Sequence, residues 1–239
     1  MGIAAGAVNA VAGGGSLISF PVLIATGLSP LTANVTNTVA QMPGYLSIVE
    51  GYRPDLKGQA PRVRALLAPT LVGALIGVGL LALGGDETFE VVVPWLILGA
   101  CALLAVQPRL KARLAARDDE RTGLSLPLVA AIGAGAAYAS YFGAAAGVLL
   151  LAILAVGIHD RLQRLNALNR LLVLLANAIA VPALILVAPV DWPSVAVLAP
   201  ATLIGGAVGA RLARRLPDPV LRAAVIALGV GVAVWLMVR

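Results

Sequence analysis

From Leu124 to Ile158 the chain runs for 35 residues without one charged side chain. That length fits neither of the simple solutions. A single straight helix would reach about 52 Å, far past a hydrocarbon core of about 30 Å. Two full spans would need about 40 residues and a turn besides. A broken helical hairpin that enters and leaves on the same side fits.

The rest of the chain supports a bilayer setting. Hydrophobic residues make up 60% of it and charged ones 12%, with mean hydropathy +0.98. Soluble domains carry about 25% charged residues, so the composition is that of an all-α integral membrane protein. The net charge of +6 would point to nucleic acid in a soluble protein. Here the basic residues lie between apolar runs, where they set orientation, and no nucleic-acid partner is expected. Cys101 stands alone, which excludes a disulfide framework and a cysteine metal site.

The apolar runs divide the chain into eight segments. The first part, 1–107, holds a hairpin over 1–28 and helices over 31–50, 65–84 and 88–107. A basic linker, 108–122, follows. The second part, 123–239, holds the hairpin 124–158 and helices over 165–188, 193–212 and 219–238. If all eight segments cross, ten Lys/Arg fall on one side and seven on the other. With 124–158 as a hairpin the split becomes sixteen to one. The positive-inside rule then makes loops 52–64, 108–122, 159–164 and 211–222 cytoplasmic in a multi-pass protein of the cell membrane.

An internal repeat accompanies this pattern. A shift of 132 residues superposes Asn34 and Asn37 on Asn166 and Asn169, and Gly73 and Gly77 on Gly205 and Gly209. A shift of 131 lays Gly13, Gly14 and Gly15 over Ala144 to Ala146, and Ser16 over Gly147. Each half is one hairpin plus three spans, and an odd number of spans gives the halves opposite orientation. That is the inverted-repeat plan of secondary transporters, whose sites lie near the midplane between the repeats. The two G-x-x-x-G pairs suit close helix contact.

All eleven acidic residues fall in loops or at segment ends, and the single histidine, His159, lies in a connection. No catalytic set, phosphate loop or metal-ligand spacing is present, so neither an enzyme nor a cofactor is expected. What remains is a ring of neutral polar residues around two weak points in the helices. The stretch Asn9–Pro21, with Gly13, Gly14 and Gly15 in a row, is a poor helix. In a bilayer such a break is tolerated where protein or a water-lined cavity satisfies its backbone. Around it stand Asn9, Ser16, Asn34, Thr36, Asn37 and Gln41. The second half offers Tyr138, Ser140, Tyr141, Gly147, Asn166 and Asn169. These residues either tie helices together or line a site, and their recurrence in both halves favours a site. Neutral donors and positive helix N-termini suit an anion. Arg170, beside Asn169, either snorkels to the interface or serves as the counter-charge.

The stretch G-A-V-N-A-V-A-G-G-G-S-L-I-S-F-P, followed by A-N-V-T-N-T, resembles the first-repeat signature of the TauE/SafE family of membrane permeases. Y-F-G-A-A-A-G-V-L-L-L-A-I-L with L-Q-R-L-N-A-L-N-R is similar to its second-repeat counterpart. The resemblance covers nearly the whole chain and implies transport of sulfite, organosulfonates or related small anions. Thr38 stands where many members carry lysine, and Ala144 to Ala146 replace glycines often found there. The resemblance also implies a natural N-terminus longer than Met1.

The expected function is therefore a secondary transporter for a small sulfur-containing oxyanion or sulfonate. Without carboxylates in the spans, potential-driven export is the simplest mechanism, at about 2.3 kcal/mol per charge per 100 mV. The competing class is a non-transporting membrane scaffold or subunit whose glycines serve packing only. The expected partners are the substrate anion and the bilayer, with homo-oligomerisation open.

Overall fold

The computed structural model describes residues 2–12, 14–115, 125–212 and 218–238. Among them the secondary structure is helical throughout: α1 (Gly2–Ala12), α2 (Ser16–Ala25), α3 (Pro30–Gly51), α4 (Ala60–Ala115), α5 (Leu126–Tyr141), α6 (Ala146–Gly157), α7 (Leu162–Val187), α8 (Trp192–Leu212) and α9 (Asp218–Val238). A 3-10 turn, Arg53–Leu56, lies between α3 and α4. Among the described residues three helical stretches are long and apolar enough to cross a membrane, namely Ala60–Arg109, Leu162–Val187 and Trp192–Gly209. Leu83, Leu126, Leu186, Val91 and Trp95 point outward in the open. Water would not tolerate so apolar a surface on a monomer, whereas lipid matches it.

Both expected breaks are present. The first helix stops at Ala12 and resumes at Ser16, and Gly13 lies outside the described residues. Gly15 is required by close approach: a Cβ there would collide with the carbonyl oxygen of Ala5 and come within 2.9 Å of the Asn9 Cβ. The second break covers Phe142 to Ala145. Gly143 has φ 77 and Ala145 φ 55, a left-handed conformation that alanine rarely adopts. Gly157 abuts Leu128, and Gly135 abuts Leu150 and Ile153, so α6 runs back along α5. The 35-residue stretch is a hairpin of two short helices.

Helix boundaries differ from the expectation in several places. The 56 residues of α4 would extend about 84 Å if straight. Gly85, at φ 65 and ψ −171, interrupts them and divides α4 into two arms. The connection expected at 85–87 shrinks to Gly85, so that Asp86 and Glu87 start the second arm and Glu90 lies a turn further on. Carboxylates at a helix N-terminus are favoured by its dipole, so they belong there. Residues expected in basic loops are also helical. α4 begins at Ala60 and continues to Ala115, and α7 begins at Leu162. Lysine and arginine are good helix formers, so a helix runs on past its apolar stretch. Residues 116–124 and 213–217, which carry the rest of two basic loops, lie outside the described residues.

Packing crosses between the halves. α1 lies along α8 in the same direction, with Gly2 against Ala201, Gly6 against Thr202, and Gly209 2.6 Å from Ala7 as a hypothetical Cβ would sit. α5 lies along the first arm of α4 in the same direction, where a Cβ at Gly73 or Gly77 would collide with the carbonyl of Gly133 or Ala137. Gly205 stands in the same relation to Ile3. The two G-x-x-x-G pairs are thus packing sites, and each receives the leading helix of the other half's hairpin. A close three-helix contact also recurs in kind. Ala74, Ala136 and Ala176 form one small cluster, while Gly206 takes Gly6 and the Gly44 carbonyl close against its backbone.

Where residues 53–64 meet residues 158–164, Asp160 accepts from both Arg62 and Arg164, the latter at 3.1 Å. Arg164 also donates to the Lys57 carbonyl, and Gln59 donates to the Arg164 carbonyl at 2.9 Å. Burial alone would push the Asp160 carboxyl up. Arg62, the Arg161 amide and Arg164 together more than reverse this and hold it below its ordinary value. His159 beside it is exposed.

Candidate functional site

The first hairpin and α3 are joined by a buried amide–hydroxyl network. Asn9 donates to the Gln41 side-chain oxygen at 2.6 Å. The Gln41 amide nitrogen donates to Ser16 Oγ at 2.8 Å and lies 3.2 Å from Asn37 Oδ1. Ser19 completes the ring by donating to Asn37 Oδ1 at 2.5 Å. All five side chains are buried. They meet because Asn37 and Gln41 are one turn apart on α3 and face the point where α2 begins. Buried polar groups are costly unless paired, and here the pairing holds the glycine break against α3.

The second hairpin is held differently. Tyr138 donates to the Ala144 carbonyl at 2.7 Å and closes the break upon itself. Asn34, from α3, donates to the Tyr141 carbonyl at 2.9 Å. Asn169, from α7, donates to the Gly147 carbonyl at 2.7 Å. The Tyr141 ring packs on Phe89, and Phe142 meets Phe20 edge-on at 5.5 Å between centroids. Each hairpin therefore touches the other near its break.

Between the breaks lies a cavity of about 10 Å³, room for about one water molecule. Ser16, Thr38, Gln41 and Tyr45 line it from one half, and Ala139, Gly143, Ala146, Val173 and Asn177 from the other. Ser16 and Ala146 are the first residues of α2 and α6. Two helix N-termini, each with a partial positive charge, thus border one small polar space.

Arg170 is buried to 3% exposure. Among the described residues it makes one hydrogen bond, a long one of 3.4 Å to the Ala10 carbonyl in the last turn of α1, and its Nε has no partner. It does not snorkel. Among the described residues no carboxylate forms an ion pair with it, which leaves a cation within a bundle of neutral groups.

The expected site residues sort into distinct groups. Asn9, Ser16, Asn37 and Gln41 come together in one network, and Asn166, Asn169 and Arg170 share a face of α7. Tyr138, Tyr141 and Gly147 belong to the second break and its fastening. Gly14 faces Leu104 and has room for a methyl group. Thr36 is elsewhere: its hydroxyl accepts from the Asp191 amide at 2.9 Å, fastening α3 to the start of α8. Tyr45 and Asn177 were not singled out in the sequence. The shift of 132 does pair them, but as unlike residues, so a search for repeated identities passes over both.

The sequence model of the family described as "Sulfite exporter TauE/SafE" matches residues 1–236. The chain is 27% identical over 213 residues to "Probable membrane transporter protein YfcA" of Escherichia coli (strain K12), covering 89% of this chain and 76% of that protein. The YfcA proteins of Escherichia coli O6:H1 and O157:H7 give the same figures. No solved structure matches the chain.

Proposed function

This chain belongs to the TauE/SafE family of membrane transporters, and we propose that its cargo is a small sulfur-containing anion, sulfite or an organosulfonate, moved outward across the cell membrane. The observation that carries this reading is Arg170, a buried guanidinium with an unpartnered Nε and, among the described residues, no paired carboxylate. An ionisable residue inside a membrane bundle marks a substrate path by default. Here its natural complement is an anion. The N-termini at Ser16 and Ala146 add positive ends beside a cavity bordered by both halves.

The two halves act as inverted repeats in this reading, with the hairpins meeting near the midplane and the basic loops in the cytoplasm. The crossed packing of α1 on α8 and α5 on α4 supports it, since each hairpin then moves with the other half's helices. A cavity of this size admits no sulfonate, so the hairpins must part for substrate to enter. An inside-negative potential drives a monoanion outward by about 2.3 kcal/mol per 100 mV, so no proton relay is needed.

The test is flux of sulfite and sulfoacetate into liposomes holding the purified protein. Rates above those of empty vesicles, lost in Arg170→Gln, support the reading. Rates equal to empty vesicles for both anions overturn it. The scaffold reading draws on the satisfied Asn9–Gln41–Ser16 network, which has the character of a structural tie. It predicts that Asn37→Ala and Asn169→Ala change stability and leave anion binding unaltered.

A further inference from the structure

Three polar atoms without partners lie within one turn of α7. They are the side-chain oxygens of Asn166 and Asn169 and the Nε of Arg170. Residues 166, 169 and 170 stand at i, i+3 and i+4, so Asn166 neighbours both others on one face of the helix. That face fits between the last turn of α1, through Arg170 to Ala10, and the first turn of α6, through Asn169 to Gly147. Asn169 and Arg170 are 0% and 3% exposed. A native interior leaves few such atoms unsatisfied, and three on one face mark a place built for something else to bond.

The chemistry of these atoms is specific. The Asn169 amide nitrogen donates to a carbonyl, which cannot donate in return, so the side chain is locked in this orientation. Its oxygen therefore demands a donor. The Arg170 Nε demands an acceptor. Two of the three counterparts in the other half are satisfied: Asn37 accepts from Ser19, and Thr38, which takes the place of Arg170 under the shift of 132, donates to the Asn34 carbonyl, while the Asn34 side-chain oxygen, counterpart of that of Asn166, stays without a partner. An unpartnered acceptor beside an unpartnered cationic donor is thus found on α7 and not at its counterpart on α3.

We propose that this face selects, among sulfonates and related oxyanions, a singly charged anion that carries its own O–H or N–H donor. The anionic oxygen meets Arg170 and the donor meets the Asn169 oxygen. A monoanion matches the single guanidinium, whereas a dianion leaves one charge uncompensated in a bundle of neutral groups. An anion without a donor leaves the Asn169 oxygen buried and unpaired, the condition under which polar sites reject analogues most strongly. The proposal rests on reading Arg170 as the anion's counter-charge.

The test is binding to the purified full chain in detergent, by calorimetry, of three matched sulfonates. Ethanesulfonate is a monoanion without a donor, 2-hydroxyethanesulfonate adds a hydroxyl, and sulfoacetate adds a second charge. The hydroxylated monoanion is expected to bind tighter than either of the others by roughly tenfold or more. In Asn169→Ala its advantage over ethanesulfonate is expected to fall close to one. Equal affinity of wild-type protein for ethanesulfonate and 2-hydroxyethanesulfonate overturns the selectivity, and this comparison needs no variant to fold. Tightest binding of sulfoacetate overturns it as well. Failure of all three to bind overturns the anion reading itself and the selectivity with it.

Discussion

Asn34 of α3 donates its side-chain amide to the main-chain carbonyl of Tyr141, 107 residues away, at 2.9 Å. Tyr141 is the last residue of α5, where the helix leaves its terminal carbonyls without intrahelical partners. One asparagine from the first half therefore fastens the second hairpin at its break. Asn34→Ala leaves that carbonyl unpaired and is expected to lower stability by about 1–2 kcal/mol, read as thermal unfolding in detergent. An unfolding midpoint equal to wild type counts against the fastening role.

Gly73 and Gly205 predict a contrast with other helical glycines. A methyl group at either meets backbone of the opposing helix, which cannot swing aside. Gly73→Ala and Gly205→Ala are expected to cost about 1–3 kcal/mol each through overpacking. Gly79, also within α4, has nothing within 4 Å of a Cβ. Gly79→Ala is expected to be neutral or to stabilise by up to about 1 kcal/mol. Chemical denaturation of the three variants side by side checks the ordering.

Asp160 predicts a limited dependence on pH. Its carboxyl is held below its ordinary 3.8 in the fold by Arg62, Arg161 and Arg164, against the opposing effect of burial. A depressed carboxyl stabilises the folded state above its unfolded value, and this contribution is lost as pH falls through the lower folded value. Its stabilisation should therefore be constant from about pH 5 upward and disappear only in stronger acid. Asp160→Asn should lower stability at neutral pH, and the gap from wild type should close below about pH 4. A gap that widens on acidification contradicts this.

Ala145 occupies left-handed backbone at φ 55, a conformation worth roughly 1–2 kcal/mol of strain in any residue but glycine. Ala145→Gly relieves the strain and gives back part of it as unfolded-chain entropy. A net gain of about 0.5–1 kcal/mol in stability is expected, measured by the same unfolding assay.

Much of the fold was legible because the signals were local. Glycine 13 to 15 cannot continue a helix well, and 35 uncharged residues cannot be one span or two, so both breaks were predictable from composition and length. The acidic cluster at Asp86 was misread as a loop, since carboxylates signal polarity without saying whether they cap a helix or leave it. At the site, the asparagine pairs stood out by repetition, while Tyr45 and Asn177 did not because the repeat had diverged there. The burial of Arg170 was beyond local reading. Its depth along α7 was visible, but the rotation that turns it toward Ala10 is set by α1, 160 residues away. Thr36 failed for the same reason, its partner being the amide of Asp191.

The crossed seating of α1 on α8 also bears on how the protein is made. Translation proceeds at about 5–20 residues per second, so about 10–40 seconds separate the emergence of α1 from that of the helix it packs against. Through that interval the glycine break has no finished surface to rest on, and α2 and α3 are the neighbours at hand. The amides of Asn9, Gln41 and Asn37 can close among themselves within the first 41 residues. That early closure holds the glycine break against α3 until α8 arrives.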